Sequence, residues 1–157
     1  MRPRTTPRGI RNYNPGNIER NATRWQGMAQ DQSGDPRFVV FSHPAWGIRA
    51  IARTLITYQD KHGLRTVRGI IQRWAPSSEN DTAAYVESVS ARLGVAPDTP
   101  IDVYDYATMR ALVEAIVRHE NGAGPLPEQA WYGETLLTDG LSLAGVLKGV
   151  RHGEVPA

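Results

Sequence analysis

Apolar residues recur at three- and four-residue intervals over most of this chain, and the breaks in that rhythm mark its organisation. Ile48, Ile51, Ala52, Leu55 and Tyr58 form one stripe ending at Gly63, with Pro44 suited to the first helical turn. Thr66 can cap a second helix bearing Val67, Ile70, Ile71 and Trp74. It must stop before Pro76, because a residue preceding proline is pushed out of the helical region. Asn80 or Asp81 can cap a third helix, with Tyr85, Val89 and Leu93 inward and Gly94 as its stop. A fourth, from Thr108 to Glu120, carries Met109, Leu112, Val113, Ile116 and Val117 on one face. It runs into His119-Glu120-Asn121-Gly122, where Asn121 or Gly122 can supply a left-handed stop. A Pro-rich hinge, Gly124 to Pro127, precedes one or two terminal helices between Glu128 and Val150.

Before Pro44 the helical rhythm is absent. Residues 1–9 read as a basic, Pro-containing, flexible arm. Residues 10–42 are turn-rich: Asn14-Pro15-Gly16-Asn17 is a strong turn signal, and Trp25 to Met28 and Phe38 to Phe41 are strand candidates. The predicted class is α+β and mainly helical. A small N-terminal β-lobe stands beside a larger helical lobe in a single domain over 10–150, and 151–157 form a tail.

Composition narrows the chemistry. At 157 residues and 40% hydrophobic, the chain can bury one core. It has no cysteine, so a disulfide framework and thiolate metal sites are excluded. His43, His62, His119 and His152 lack metal-ligand spacing, and no nucleotide or hydrolase-triad fingerprint occurs, so neither metal nor cofactor is expected. A net charge of +2 suits a polyanionic cell envelope or nucleic acid alike. No stretch reaches the ~18 apolar residues of a membrane span, and the N-terminus lacks a secretory signal, so work outside the cytoplasm would need another route out.

Glu120 is the first candidate for chemistry. A carboxylate in the last helical turn faces the negative end of the dipole, which favours its protonated form, the form a general acid requires. The alternative is a surface residue on a frayed helix end. Asn12, Tyr13, Asn14 and Asn17 are the second candidate, supplying amides and an aromatic face suited to a hydroxyl- and acetamido-rich sugar. The alternative is an Asx-turn loop whose amides serve its own backbone. Glu79, in Ser77 to Thr82, could line a cleft, though a helix N-terminus explains that segment. Trp25, Phe38, Phe41, Trp74 and Tyr85 read as core rather than as sugar platforms.

The run Arg8-Gly9-Ile10-Arg11-Asn12-Tyr13-Asn14-Pro15-Gly16-Asn17-Ile18 resembles the R-G-I-R-N-N-N-P-G-N-I opening of a family of bacteriophage and prophage proteins. The similarity continues through Trp25 to Gly27, Asp35 to Phe41, Gly47 to Ala50, Arg73 to Pro76, Glu79 to Thr82 and Ala115 to Gly122, covering residues 8–146. Members resemble peptidoglycan-degrading, lysozyme-like endolysins or virion-associated transglycosylases. Tyr13 stands where Asn is usual, and Ala45-Trp46 replaces a common acidic residue. Lysozyme-like enzymes place the acid at the end of an early helix with the β-lobe after it. Here the matching helix end follows the lobe, which implies a circularly permuted lysozyme-like fold with Glu120 in the acid position.

The resemblance implies cleavage of the glycan strand between N-acetylmuramic acid and N-acetylglucosamine. Asp35, Asp31 and Glu19 are candidates for a second carboxylate, and Asn121 joins the substrate-binding set. A lytic transglycosylase manages with one Glu, so hydrolysis and transglycosylation both stand. The implied partner is peptidoglycan, met by a monomer made in the host cytoplasm and released by a holin-type pathway, or carried among virion proteins. No stable membrane insertion is expected. A non-catalytic glycan-binding virion protein is the main alternative. A basic nucleic-acid binder would need a contiguous basic face, whereas the Arg residues here are dispersed.

Overall fold

The helices form where caps and stops bracket the apolar stripes. A computed structural model describes residues 6–76 and 81–149. Helix α1 is a single turn, Arg8–Arg11, followed by α2 (Pro44–His62), α3 (Val67–Trp74), α4 (Thr82–Leu93), α5 (Tyr106–Asn121) and α6 (Glu134–Leu143). Pro44 opens α2 as predicted, and the His43 imidazole Nδ1 caps it by accepting from the Ala45 N–H at 3.1 Å. Thr66, Asp81 and Asp105 cap α3, α4 and α5 through side-chain oxygens. Gly63 and Gly94, at φ 64° and 72°, end α2 and α4. The stretch after the hinge is less helical than its composition predicts. Glu128 and Gln129 take φ of 60° and 62°, so a 3₁₀ turn over Pro127–Gln129 breaks off before α6 begins. Val150 and the predicted tail lie outside the described residues, as do Glu79 and the Asn80 cap.

The main core joins α2 to α6, with Ile48, Ile51, Leu55, Ile70, Tyr85, Met109, Leu112, Ile116 and Leu137 fully buried. Helix α2 packs along α6, and α4 packs against both α3 and α5. A smaller cluster of Val39, Phe41 and Ala50, flanked by Ile18, Trp25, Met28 and Trp46, seats residues 12–43 on α2. No helix among the described residues is long and apolar enough to cross a membrane.

Two expectations for the N-terminal region are corrected. The predicted β-lobe contains no strand among the described residues, only the isolated antiparallel bridges Glu19–Phe38 and Met28–Phe41. Side-chain amides take the hydrogen bonds a ladder would need. Asn14 Nδ2 donates to the carbonyls of Ile18 and Val39, and its Oδ1 accepts from Ile18 N–H. Gln32 donates to Ala29 and Val40 carbonyls and accepts from Val40 N–H. Backbone groups satisfied this way cannot propagate a sheet. Residues 1–5 of the predicted arm lie outside the described residues, and its end is not an arm. Arg8 and Gly9 belong to α1, and Gly9 is buried.

Candidate active site

Helix α5 is fixed in rotation by its core face, since Met109, Leu112, Val113, Ile116 and Val117 are all buried. Leu112, Ile116 and Glu120 are spaced four apart and share that face. Glu120 therefore continues the buried stripe to the point where the core gives way to an open groove, and it is half-buried there. Gly122, at φ 80°, closes the helix by donating its N–H to Arg118 O at 2.7 Å.

Two neutral donors hold the Glu120 carboxylate. Asn17 Nδ2 donates to Oε1 at 3.3 Å, and Tyr85 OH donates to Oε2 at 3.2 Å. The Tyr85 hydroxyl keeps its proton. Burial pushes its pKa well above the ordinary phenol value, and the adjacent Glu120 charge and hydrogen bond push the same way against a smaller opposing hydrogen bond from Trp74. The other end of the array is aromatic: the His119 ring stacks on Tyr85 with centroids 3.5 Å apart and 17° between planes.

The N-terminal loop is clasped to this helix end. Asn121 Nδ2 donates to Val117 O at 2.9 Å within α5 and to Pro15 O at 2.8 Å across the seam. A Cβ at Gly9 would lie 2.6 Å from Asn121 Oδ1 and 2.7 Å from Asn17 Oδ1, so only glycine fits between the two amides. Asn17 itself has φ 51°, a conformation asparagine tolerates better than most residues.

The groove beside Glu120 has a volume of about 480 Å³. Trp25, Phe38, Tyr58 and Trp74 wall it with ring surface, while Asn17, Asn21, Thr54, Glu19 and Arg37 add polar groups. A carboxyl group fixed at the edge of such a groove can exchange a proton with an oxygen bound there.

The residues predicted from sequence divide accordingly. Glu120, Asn17 and Glu19 lie on the groove. Glu19 is exposed at its lip and ion-paired with Arg37. Asp35 does not reach the groove. It is buried beneath Arg8, whose Nε and Nη2 donate to its two oxygens at 2.5 and 2.6 Å, with Asn12 Nδ2 and the N–H groups of Arg37 and Phe38 completing its shell. The Arg8 hydrogen bonds lead in holding its carboxyl well below the usual carboxylate range. Asp31 is exposed in a turn, accepting from Ser33 N–H at 2.9 Å. Asn12 and Asn14 are buried and bonded to protein, so their amides build the loop rather than face a ligand. Tyr13 is exposed but lies off the groove. Asn121 serves the clasp.

Sequence reading missed the groove aromatics. Trp25, Phe38 and Trp74 are half-buried groove walls, whereas Phe41 is core as predicted. Tyr85 is core by burial, yet its hydroxyl reaches the carboxylate. Its spacing on α4 carries no signal for that second role. No family model matches the chain. It is 40% identical over 121 residues to Protein P5 of Pseudoalteromonas phage PM2, an alignment spanning 75% of this chain and 73% of that protein.

Proposed function

The chain belongs to the family of Protein P5 of Pseudoalteromonas phage PM2, and within that family we propose that it cleaves peptidoglycan glycan strands at the β-1,4 bond between N-acetylmuramic acid and N-acetylglucosamine. The observation that carries this reading is the Glu120 carboxyl, held by Asn17 and Tyr85 at the edge of an aromatic-walled groove. Glu120 protonates the glycosidic oxygen as the bond breaks toward an oxocarbenium-like state. Ring faces of Trp25 and Trp74 offer stacking surface for sugars, and Asn21 and Thr54 offer partners for hydroxyl and acetamido groups.

Of the three candidate second carboxylates, Glu19 alone stands on the groove wall, tied to Arg37. A one-carboxylate route needs none of them. The substrate's acetamido group assists departure, the muramic acid 6-hydroxyl attacks the anomeric carbon, and Glu120 takes that hydroxyl's proton. The lysozyme-like, circularly permuted fold belongs to the same proposal. A helical body carries the acid at a helix end, after the groove-forming lobe rather than before it. Action on the wall from the virion and late release through a holin-type pore both fit this chemistry.

The test compares wild type with Glu120→Gln on purified peptidoglycan, with mass spectrometry of the products. Loss of a general acid should lower the rate by about 10²-fold or more while the melting temperature holds. Undiminished turnover would remove Glu120 from the mechanism. Anhydro ends identify transglycosylation, and reducing ends identify hydrolysis.

A further inference from the structure

A second groove, of about 440 Å³, lies between α4 and α5. Ser88, Ala91 and Arg92 form one wall, and Ala115, Arg118 and His119 form the other. Ser88, Ala91 and Ala115 contribute only small side chains to it. Its charge is cationic. Arg92 donates to Glu114 at 3.2 Å, and Glu114 also accepts at 2.9 Å from Arg110, which lies off the groove and pairs with Glu134 as well. Among the described residues, no carboxylate lines the groove itself. Arg118 is exposed, and none of the hydrogen bonds or ion pairs among the described residues engages its guanidinium.

We propose that this groove binds carboxylate groups of the peptide stems that peptidoglycan glycan carries, an inference resting on the glycan-cleaving reading above. Position is the first support. His119 lines this groove and Glu120 lines the other, and between them stands the Tyr85 side chain, its ring against His119 and its hydroxyl on Glu120. A muramic acid residue seated near Glu120 would carry its stem, attached through the lactyl ether, on the glycan beside the Tyr85–His119 pair that joins the two grooves. Chemistry is the second support. The stem bears free carboxylates, and a guanidinium fork matches a carboxylate with two parallel hydrogen bonds. The glycan itself offers few charges to such a site, and two Arg residues make too short a stripe for a nucleic-acid backbone.

The experiment measures co-sedimentation of full-length Glu120→Gln protein, which prevents turnover, with intact peptidoglycan sacculi and with sacculi whose stem carboxylates have been converted to neutral amides by a carbodiimide and ammonia. Intact sacculi should bind about tenfold more tightly, the contribution of one charge-assisted interaction. Arg118→Ala on the same background should remove that difference and leave binding to amidated sacculi unchanged. Equal binding to the two preparations, or an equal loss on both in the Arg118 variant, overturns the proposal. Tighter Arg118-dependent binding to phosphatidylglycerol vesicles than to intact sacculi overturns it too, assigning the groove to a membrane surface. Failure of wild type to cleave either preparation refutes the cleavage reading separately, since the binding comparison needs no turnover.

Discussion

Tyr13 occupies the left-handed region at φ 53° with its side chain 44% exposed. A side chain other than Gly, Asn or Asp is strained in that conformation, and little packing offsets the strain here. Asn, which tolerates the left-handed region better, should therefore be better. Tyr13→Asn is expected to stabilise the fold by about 0.5–1 kcal/mol, read as a higher urea midpoint. A lower midpoint would mean that the exposed ring makes contacts worth more than the backbone strain. The neighbouring asparagines show where residue-level reading runs out. Asn12, Asn14 and Asn17 have the same amide chemistry, and the sequence does not say which way each faces. Two turned inward to build the loop, while Asn17 reached the carboxylate. The place of Glu120 at the end of the buried α5 stripe was legible because the apolar residues recur at helical spacing straight into the last turn. Tyr85 was not, because helical spacing looks the same whether an aromatic side chain ends in the core or at a groove.

The helices were legible as elements because their limits are written in single residues: Pro44, Thr66 and Asp81 at the starts, Gly63 and Gly94 at the ends. The N-terminal segment was not. Phe38 to Phe41 has strand composition, but Gln32 and Asn14 supply side-chain partners to its backbone, a long-range choice that local pattern does not encode. Gly140 shows two element-scale effects in competition. In the interior of α6, replacement by Ala should gain about 1 kcal/mol of helix propensity. Yet the new Cβ would lie 2.5 Å from Ile48 Cγ2, 2.6 Å from Ile48 Cβ and 3.1 Å from Ala45 O, contacts near the rigid base of the α2 side chain and its backbone. Overpacking costs about 1–3 kcal/mol, so the clash should win and Gly140→Ala should lower the thermal midpoint. A raised midpoint would show that α2 and α6 can separate without loss.

At the scale of the molecule, the Arg8–Asp35 pair anchors α1 to the segment that carries Phe38, and the Arg8 guanidinium also lies 4.5 Å over the Phe38 ring. Because the Asp35 carboxyl is held below its unfolded pKa, its contribution is fully present above the ordinary aspartate range, near pH ~4. It fades as the pH falls through the lower native value. Asp35→Asn should therefore be less stable than wild type at neutral pH, with the gap narrowing in denaturation series carried below pH ~4. A gap independent of pH would show that shape rather than charge matters at this position. Asn17 and Glu120, bonded side chain to side chain, stand 103 residues apart. A chain growing from its N-terminus therefore makes the groove-wall loop long before the carboxylate it must meet. Until α5 has been synthesised, the Asn17 amide has no carboxylate to meet. Because the two partners come from opposite ends of the chain, any truncation before α5 removes the carboxylate from the groove.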